Sequence, residues 1–398
     1  MVQLQEVCTA IVDCEHKTAP TQDSGYPSIR TPNIGRGFFI LDNVNRVSEA
    51  TYRAWTQRAV PQPGDLIMAR EAPVGNVARI PEGLQPCLGQ RTLLIRPDHD
   101  QIDAAYLTYL LIGPQVQGSI HAQTNGATVA HLNMKDVRQL ELPGLPSRSL
   151  QCRIAAILSA YDDLIENCER RIRLLDSMAR ALYREWFLLF RYPGHEGVPS
   201  VESALGPIPK GWAVQTPKQI AEVTYGYPFQ SSLFSSGPVG TPVVRIRDIP
   251  TGQSQTYTTQ SVDSRYHLKN GDILVGMDGD FHTSIWSNGF AFQNQRVARF
   301  EPIKTWAPLH FLLALEPSIQ ALNKSIVGTT VAHLGDMHIK QIAILTPNAS
   351  VLEMARRQFR AIGDEIVALR RTSRLLRKTR DLLIPRLLSG ELSVEDAA

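Results

Sequence analysis

Apolar residues recur at three- and four-residue steps through Ile154, Ile157, Tyr161, Leu164, Cys168, Ile172, Leu175, Met178, Leu182 and Trp186, the period of a helical seam. A second stretch repeats the pattern with Ile362, Ile366, Leu369, Leu376, Leu383 and Leu387, and no proline interrupts either run before Pro193 and Pro385. At ~1.5 Å per residue, ~35–40 residues make rods roughly 50–60 Å long, which ordinarily pack on each other. Elsewhere the period shortens. Gly64-Asp65 ends a turn and Leu66-Ile67-Met68-Ala69 begins a strand; Gln90 to Ile95 predicts another, stopped by Pro97-Asp98. Ile273-Leu274-Val275 and Arg296 to Phe300 predict their equivalents later in the chain, and short helices are expected at Ala104 to Leu111 and Pro308 to Leu315. The pattern is therefore mixed α+β, with breaker-rich connections at Tyr192 to Pro199 and Gly206 to Trp212.

These elements come twice. Gly64-Asp65-Leu66-Ile67 returns as Gly271-Asp272-Ile273-Leu274, Gln90-Arg91 as Gln295-Arg296, and Gly126 to Leu132 as Gly328 to Leu334; Leu174-Leu175 then matches Leu375-Leu376. Four matches in the same order, at a nearly constant separation, imply a duplicated scaffold, and the low identity between them implies different surfaces. A pseudo-two-fold relation between the halves predicts that the two rods run antiparallel.

Composition narrows the function. With 43% hydrophobic and 20% charged residues the chain is expected to fold, and its 398 residues suit two or three domains. The net charge of +3 does not by itself announce a nucleic-acid binder. Cys8, Cys14, Cys87, Cys152 and Cys168 show no paired spacing and predict reduced thiols in a cytoplasmic protein, with no metal site. Neither a signal segment nor a membrane span is expected. Enzyme signatures are missing: a glycine-rich turn with an Asn/Asp-Pro-Pro-aromatic element, as amino-group methylation requires, and a G-x-x-x-x-G-K-[ST] loop. The Gly-Asp turns could open a nuclease site, but no Glu-x-Lys follows at Glu71 or after Asp272.

The ordered set of features resembles the specificity (S) subunits of Type I restriction–modification systems over nearly the whole chain. It comprises the turn-strand signals at Pro63 to Ile67 and Asn270 to Leu274, the paired segments at Gly126 and Gly328, Leu182-Tyr183-Arg184-Glu185-Trp186-Phe187 running into Phe190 to Glu196, Ile208-Pro209-Lys210-Gly211-Trp212, and the closing Leu387-Leu388-Ser389-Gly390-Glu391-Leu392. The resemblance implies two mixed α/β target-recognition domains, at 1–146 and 211–347, separated by two long antiparallel helices, at 147–191 and 348–392, that form a coiled coil; 192–210 is then a linker and 393–398 a tail. It implies a non-catalytic protein that reads a bipartite double-stranded DNA target, docks two modification (methyltransferase) subunits and is joined by restriction and motor subunits. No cofactor is expected on this chain; S-adenosylmethionine, ATP and Mg are expected on the partners. A stand-alone duplicated DNA-binding regulator is the alternative, and a coiled-coil adaptor without DNA affinity a third reading.

Base readers are expected among loop Arg, Asn, Asp and His, which match the donors and acceptors of the major groove. Arg70, Asn76, Arg79 and Arg91 are the candidates in the first half; Arg245, Arg247, Asp278, Asp280, His282 and Arg296 in the second, with Tyr227 and Phe229 as stacking or methyl contacts. Taken singly, each is more often a solvated loop charge or a structural ion-pair partner; the set carries more weight than any member. Thr128 and His131, matched by Thr330 and His333, offer a hydroxyl and an imidazole near DNA, or cap a short helix. Residues 350–390 hold ten Lys/Arg against four Asp/Glu, which predicts a basic face toward an acidic partner or the DNA spacer.

Overall fold

A computed structural model describes residues 1–124, 131–325 and 332–394. The chain divides into two compact units, one holding Met1–Leu164 and the chain from Leu376 onward, the other Ile165–Leu375. In the first unit the strands used below are Cys8–Asp13 (β1), Tyr26–Ile29 (β2), Arg46–Val47 (β3), Leu66–Ala69 (β4), Val77–Arg79 (β5), Cys87–Leu88 (β6) and Thr92–Pro97 (β7). An antiparallel sheet has the order β1-β7-β4-β5, with Leu66 opposite Ile95 and Ile67 opposite Leu94. A smaller sheet, β3-β2-β6, contains one parallel pairing, Ser28 opposite Cys87.

β4 is apolar throughout because both of its faces are covered. Leu66 and Met68 pack with Leu107, Leu110 and Leu111 of helix Ala104–Ile112 (α1), while Ile67 and Ala69 pack with Ile29, Ile34 and Ala78. Before it, Gly64 takes φ +91°, where a side chain would be strained, and the buried Asp65 carboxylate accepts the Gln62 N–H at 2.9 Å to close the turn.

The second unit repeats this plan. Its strands are Ala221–Tyr225 (β8), Phe234–Ser235 (β9), Thr241–Val244 (β10), Tyr257–Thr258 (β11), His267–Leu268 (β12), Ile273–Gly276 (β13), Thr283–Ile285 (β14), Ala291–Gln293 (β15) and Val297–Pro302 (β16). The main sheet has the order β8-β16-β13-β14, first strand beside last and then the central hairpin, as in the first unit. Gly271 takes φ +96° and Asp272 accepts the Lys269 N–H at 2.9 Å. The smaller sheet again contains one parallel pairing, Val243 opposite Phe292, but is wider, β9-β11-β10-β15-β12. Three elements differ from expectation. The strands expected from Gln90 and Arg296 begin at Thr92 and Val297, so both arginines lie in the preceding turns. The helix expected to end at Leu315 runs Pro308–Ser325, its later turns held by the fully buried Ile319 despite Pro317.

The first long helix is Arg148–Tyr183 (α2), followed by a π-helical turn to Leu188; the helix Pro308–Ser325 is α3, and the second long helix is Ala349–Leu388 (α4). In the first unit, Ile154 and Leu158, early in α2, pack with Ile384 and Leu387, late in α4. In the second, Ala179 and Phe187 pack with Ala355 and Phe359, and Arg171 pairs with Glu365 at 2.5 Å. Early against late in one unit and late against early in the other makes the pairing antiparallel. Two expected seam residues lie outside it: Leu164 and Met178 are 54% and 59% exposed, and Leu158, Ile165 and Ala179 are buried instead. A straight helix drifts against any fixed heptad over this length.

The basic run in α4 is also partly internal, contrary to expectation. Arg380 is buried against Asp162, whose other carboxylate oxygen accepts the Tyr109 hydroxyl at 2.5 Å. Arg370 donates to the Ile285 carbonyl and Arg374 to the Ser287 carbonyl and hydroxyl. Guanidinium groups so used close carbonyls at the ends of loops. No helix among the described residues is long and apolar enough to cross a membrane.

His310 is fully buried with both ring nitrogens unpartnered, between Trp306 at 4.3 Å and Phe359 at 5.1 Å, with Phe187 at 4.4 Å. Burial pushes its pKa from 6.5 down to about 3. The unfolded chain therefore takes up a proton that the folded unit refuses, and stability falls as the pH drops below about 6.5 toward about 3. His310→Phe is expected to raise the unfolding free energy by roughly 1–3 kcal/mol and to flatten that acid limb, read by denaturant melts at pH 7 and pH 5. At the other end, Asp162→Ala is expected to cost roughly 1–3 kcal/mol by leaving buried Arg380 with only the exposed Asp381 as an acidic partner, with much of the loss recovered in Asp162→Ala/Arg380→Met; calorimetry on the two variants checks this.

Candidate nucleic-acid interface

The turns that end β4 and β13 bring together residues that are far apart in sequence. In the first unit Glu71 divides its carboxylate: Oε1 accepts from His131 Nδ1 at 3.0 Å, and Oε2 faces Arg91 Nε at 2.9 Å. In the second unit Asp278 does the same, Oδ1 toward His333 Nδ1 at 2.6 Å and Oδ2 toward Arg296 Nε at 3.1 Å. The backbone beneath is also repeated. The Arg70 N–H donates to the Arg91 carbonyl and the Leu132 N–H to the Arg70 carbonyl; the Met277 N–H donates to the Arg296 carbonyl and the Leu334 N–H to the Met277 carbonyl. Each unit thus carries an arginine, a carboxylate and a histidine locked at one end of its central hairpin. Both arginines are exposed.

Other expected residues fall into three groups. Arg79, Arg247, Asp280 and His282 are exposed, as a base reader must be. Arg247 also donates to the Thr256 hydroxyl at 3.2 Å. Asn76 is partly buried and donates its amide to the Ile34 carbonyl, Arg245 lies 5.9 Å over the Phe234 ring, and Tyr227 is half-buried against Phe229 and Tyr266. Two expectations need correcting. Arg70 is buried, donating to Asp13 at 2.6 Å, the Leu132 carbonyl at 2.9 Å and His131 Nε2 at 3.1 Å, so its donors serve the fold. Phe229 is buried and stacked on Phe292 at 5.8 Å, part of the small sheet's core and not a stacking surface. Asp278 sits in the second carboxylate position and serves to hold His333 and Arg296. Thr128 and Thr330 lie outside the described residues.

Sequence reasoning missed Arg30 and the role of Glu71. Arg30 is exposed and follows β2 as Arg245 follows β10. Its backbone N–H donates to Asn33 as that of Arg245 donates to Asp248. The signal was Pro27-Ser28-Ile29-Arg30 against Pro242-Val243-Val244-Arg245, obscured because the spacing of the repeats shifts there. Asp13, Cys14 and His16 bring ligand atoms within 4.8 Å of one another, but Asp13 already accepts from the buried Arg70, which leaves a cation little to gain.

Residues 1–175 and 209–352 match the family described as Type I restriction modification DNA specificity domain. The chain belongs to that family. Among relatives of this specificity-domain chain, the Type I restriction enzyme MjaIX specificity subunit of Methanocaldococcus jannaschii is 25% identical over 376 residues, covering 90% of this chain and 84% of that one. The Type I restriction enzyme EcoBI specificity subunit of Escherichia coli is 27% identical over 190 residues, 46% of this chain and 40% of that one. The crystal structure of a Type I restriction–modification S subunit from M. genitalium matches with a TM-score of 0.61 at 15% identity, covering 97% of this chain and 95% of that chain, which establishes a shared fold.

The division between internal and outward arginines has a direct consequence. Arg70→Ala leaves the Asp13 carboxylate without its guanidinium and is expected to cost roughly 2–4 kcal/mol, whereas exposed Arg79→Ala is expected to stay within about 0.5 kcal/mol. Equilibrium urea unfolding of the two variants measures the contrast.

Proposed function

We propose that this chain is the DNA-sequence-reading subunit of a Type I restriction–modification complex, in which each unit's recognition globule reads one half of a bipartite target through the major groove. The two long helices serve as the ruler that fixes the unread spacer between the halves. Catalysis belongs to other chains: two modification subunits supply S-adenosylmethionine and adenine methylation, and the restriction and motor subunits supply ATP- and Mg-dependent steps. The observation that carries this reading is the repetition of one sheet order and one Arg–carboxylate–His cluster in two units whose remaining loops differ. Readers of two different half-sites need a common grip and unlike base-facing surfaces. The scaffolding role is supported by large apolar side chains on the outside of α2, where Leu174 and Met178, one helical turn apart, are both exposed. An isolated helix face of that kind favours a protein partner over solvent.

Coexpression with the modification subunit, followed by mapping of methylated adenines, tests the assignment. Two half-sites at one fixed spacing are the expected result. Removing matching turns from α2 and α4 together is expected to change the spacer and leave both half-sites unchanged. Methylation that is independent of this chain, or half-site preferences that move with helix length, would contradict it.

A further inference from the structure

Arg91 and Arg296 are base-reader candidates by sequence. Their surroundings assign them a different job: we propose that the paired clusters Arg91–Glu71–His131 and Arg296–Asp278–His333 are matched phosphate grips, which hold the DNA backbone in each half-site without reading its bases. The inference rests on the specificity reading above and deepens it, by separating the residues that position the duplex from those that choose the sequence.

Three observations carry it. First, each cluster is an arginine and a histidine held on the two oxygens of one carboxylate, glutamate in the first unit and aspartate in the second, over the same backbone bonds, while their surroundings differ. Two globules that read unlike half-sites share one ligand, the sugar–phosphate backbone, so the feature they share should bind that ligand. Second, the arginines are outward. The Arg91 and Arg296 side chains are 64% and 51% exposed, and each is steadied at Nε by its carboxylate. A guanidinium has five N–H donors and one carboxylate oxygen can use only part of them, which leaves donors for a phosphate held in a fixed direction. Third, each arginine has a second one close by in the fold. Arg30 crosses over Gly89, where an added Cβ would come within 2.5 Å of its side chain, two residues before Arg91. In the second unit the Asn294 N–H donates to the Val244 carbonyl, which joins the residue before Arg245 to the turn that bears Arg296. Arg30 and Arg245 each bring a second guanidinium toward the cluster, which adds positive charge beside the acid that orients the first arginine.

The test measures binding of the full-length chain, alone and with its modification subunit, to a fluorescent target duplex and to a scrambled duplex of equal length, across a NaCl series. For Arg91→Gln and Arg296→Gln, affinity for both duplexes is expected to fall by the same factor, roughly five- to tenfold, with the salt slope reduced by about one for each substitution. Arg91→Lys and Arg296→Lys, which keep a point charge but lose the planar fork, are expected to recover most of the loss. A loss confined to one base-pair position in a randomised target would make the arginine a base reader and overturn the proposal. So would unchanged affinity in a folded variant, or a lowered melting temperature that fully accounts for the weaker binding. Failure of the underlying reading looks different: wild-type protein with its modification subunit would show no preference for target over scrambled DNA. Uniform losses in the arginine variants would then still uphold the phosphate assignment.

Discussion

The first unit cannot close its core without residues that follow the whole second unit in sequence. Ile384 and Leu387, near the C-terminus of α4, are buried with Ile154 and Leu158 and with the helix that covers β4, and Arg380 reaches Asp162 from the same turns. An antiparallel helix pair makes this closure unavoidable, because the segment that completes the first unit is made only after the second unit. The sequence must therefore keep α4 unbroken through forty residues, which explains why Pro385 is tolerated only in its final turn. Contacts of such sequence separation are slow to form, and the pairing of buried Arg380 with half-buried Asp162 gives them a polar register that an all-apolar seam would lack. Gly363 solves a related problem in the second unit. A Cβ there would lie 3.1 Å from Leu309, so glycine lets α4 run close against α3.

What could be read from the sequence followed from how local each signal was. The Gly-Asp turns and the apolar run of β4 are encoded by adjacent residues, and both units contain them as expected. The seam could be read as a period but not as a membership, since a few degrees of drift per turn decide whether Leu164 or Ile165 is buried. The charged residues were least legible. Arg70, Arg79 and Arg91 look alike in sequence, yet one is buried and two are exposed, because only the distant Asp13 and Leu132 determine which guanidinium finds partners inside. The same holds for the basic run of α4, where Arg370 and Arg374 are drawn to loop carbonyls more than eighty residues away. Burial lowers the pKa of both, a sign that these charges serve loop closure at some electrostatic cost.

The comparison of the two units shows how one scaffold tolerates different chemistry. At the base of the first cluster, Arg70 donates to Asp13 and to His131 Nε2, so the imidazole carries its proton on Nδ1, toward Glu71. In the second unit the sheet register places Tyr225 where Asp13 stands and Met277 where Arg70 stands. Both members of the ion pair have been exchanged together for groups without net charge, and Met277 is as buried as Arg70. A buried ion pair can give way to groups without net charge at little cost in free energy, whereas either half alone would strand a charge; here the Tyr225 hydroxyl donates to Asp336 instead. Paired exchange is thus the route by which the interior of a repeat can change without loss of fold. The exchange also changes the site above it: Met277 offers no donor to the outer nitrogen of His333, so that ring is held through Asp278 on its Nδ1 side and differs from its counterpart in what its Nε2 can accept or donate. Matching outward clusters therefore rest on unlike supports, and a difference between the halves in how they meet DNA can begin beneath the surface that touches it.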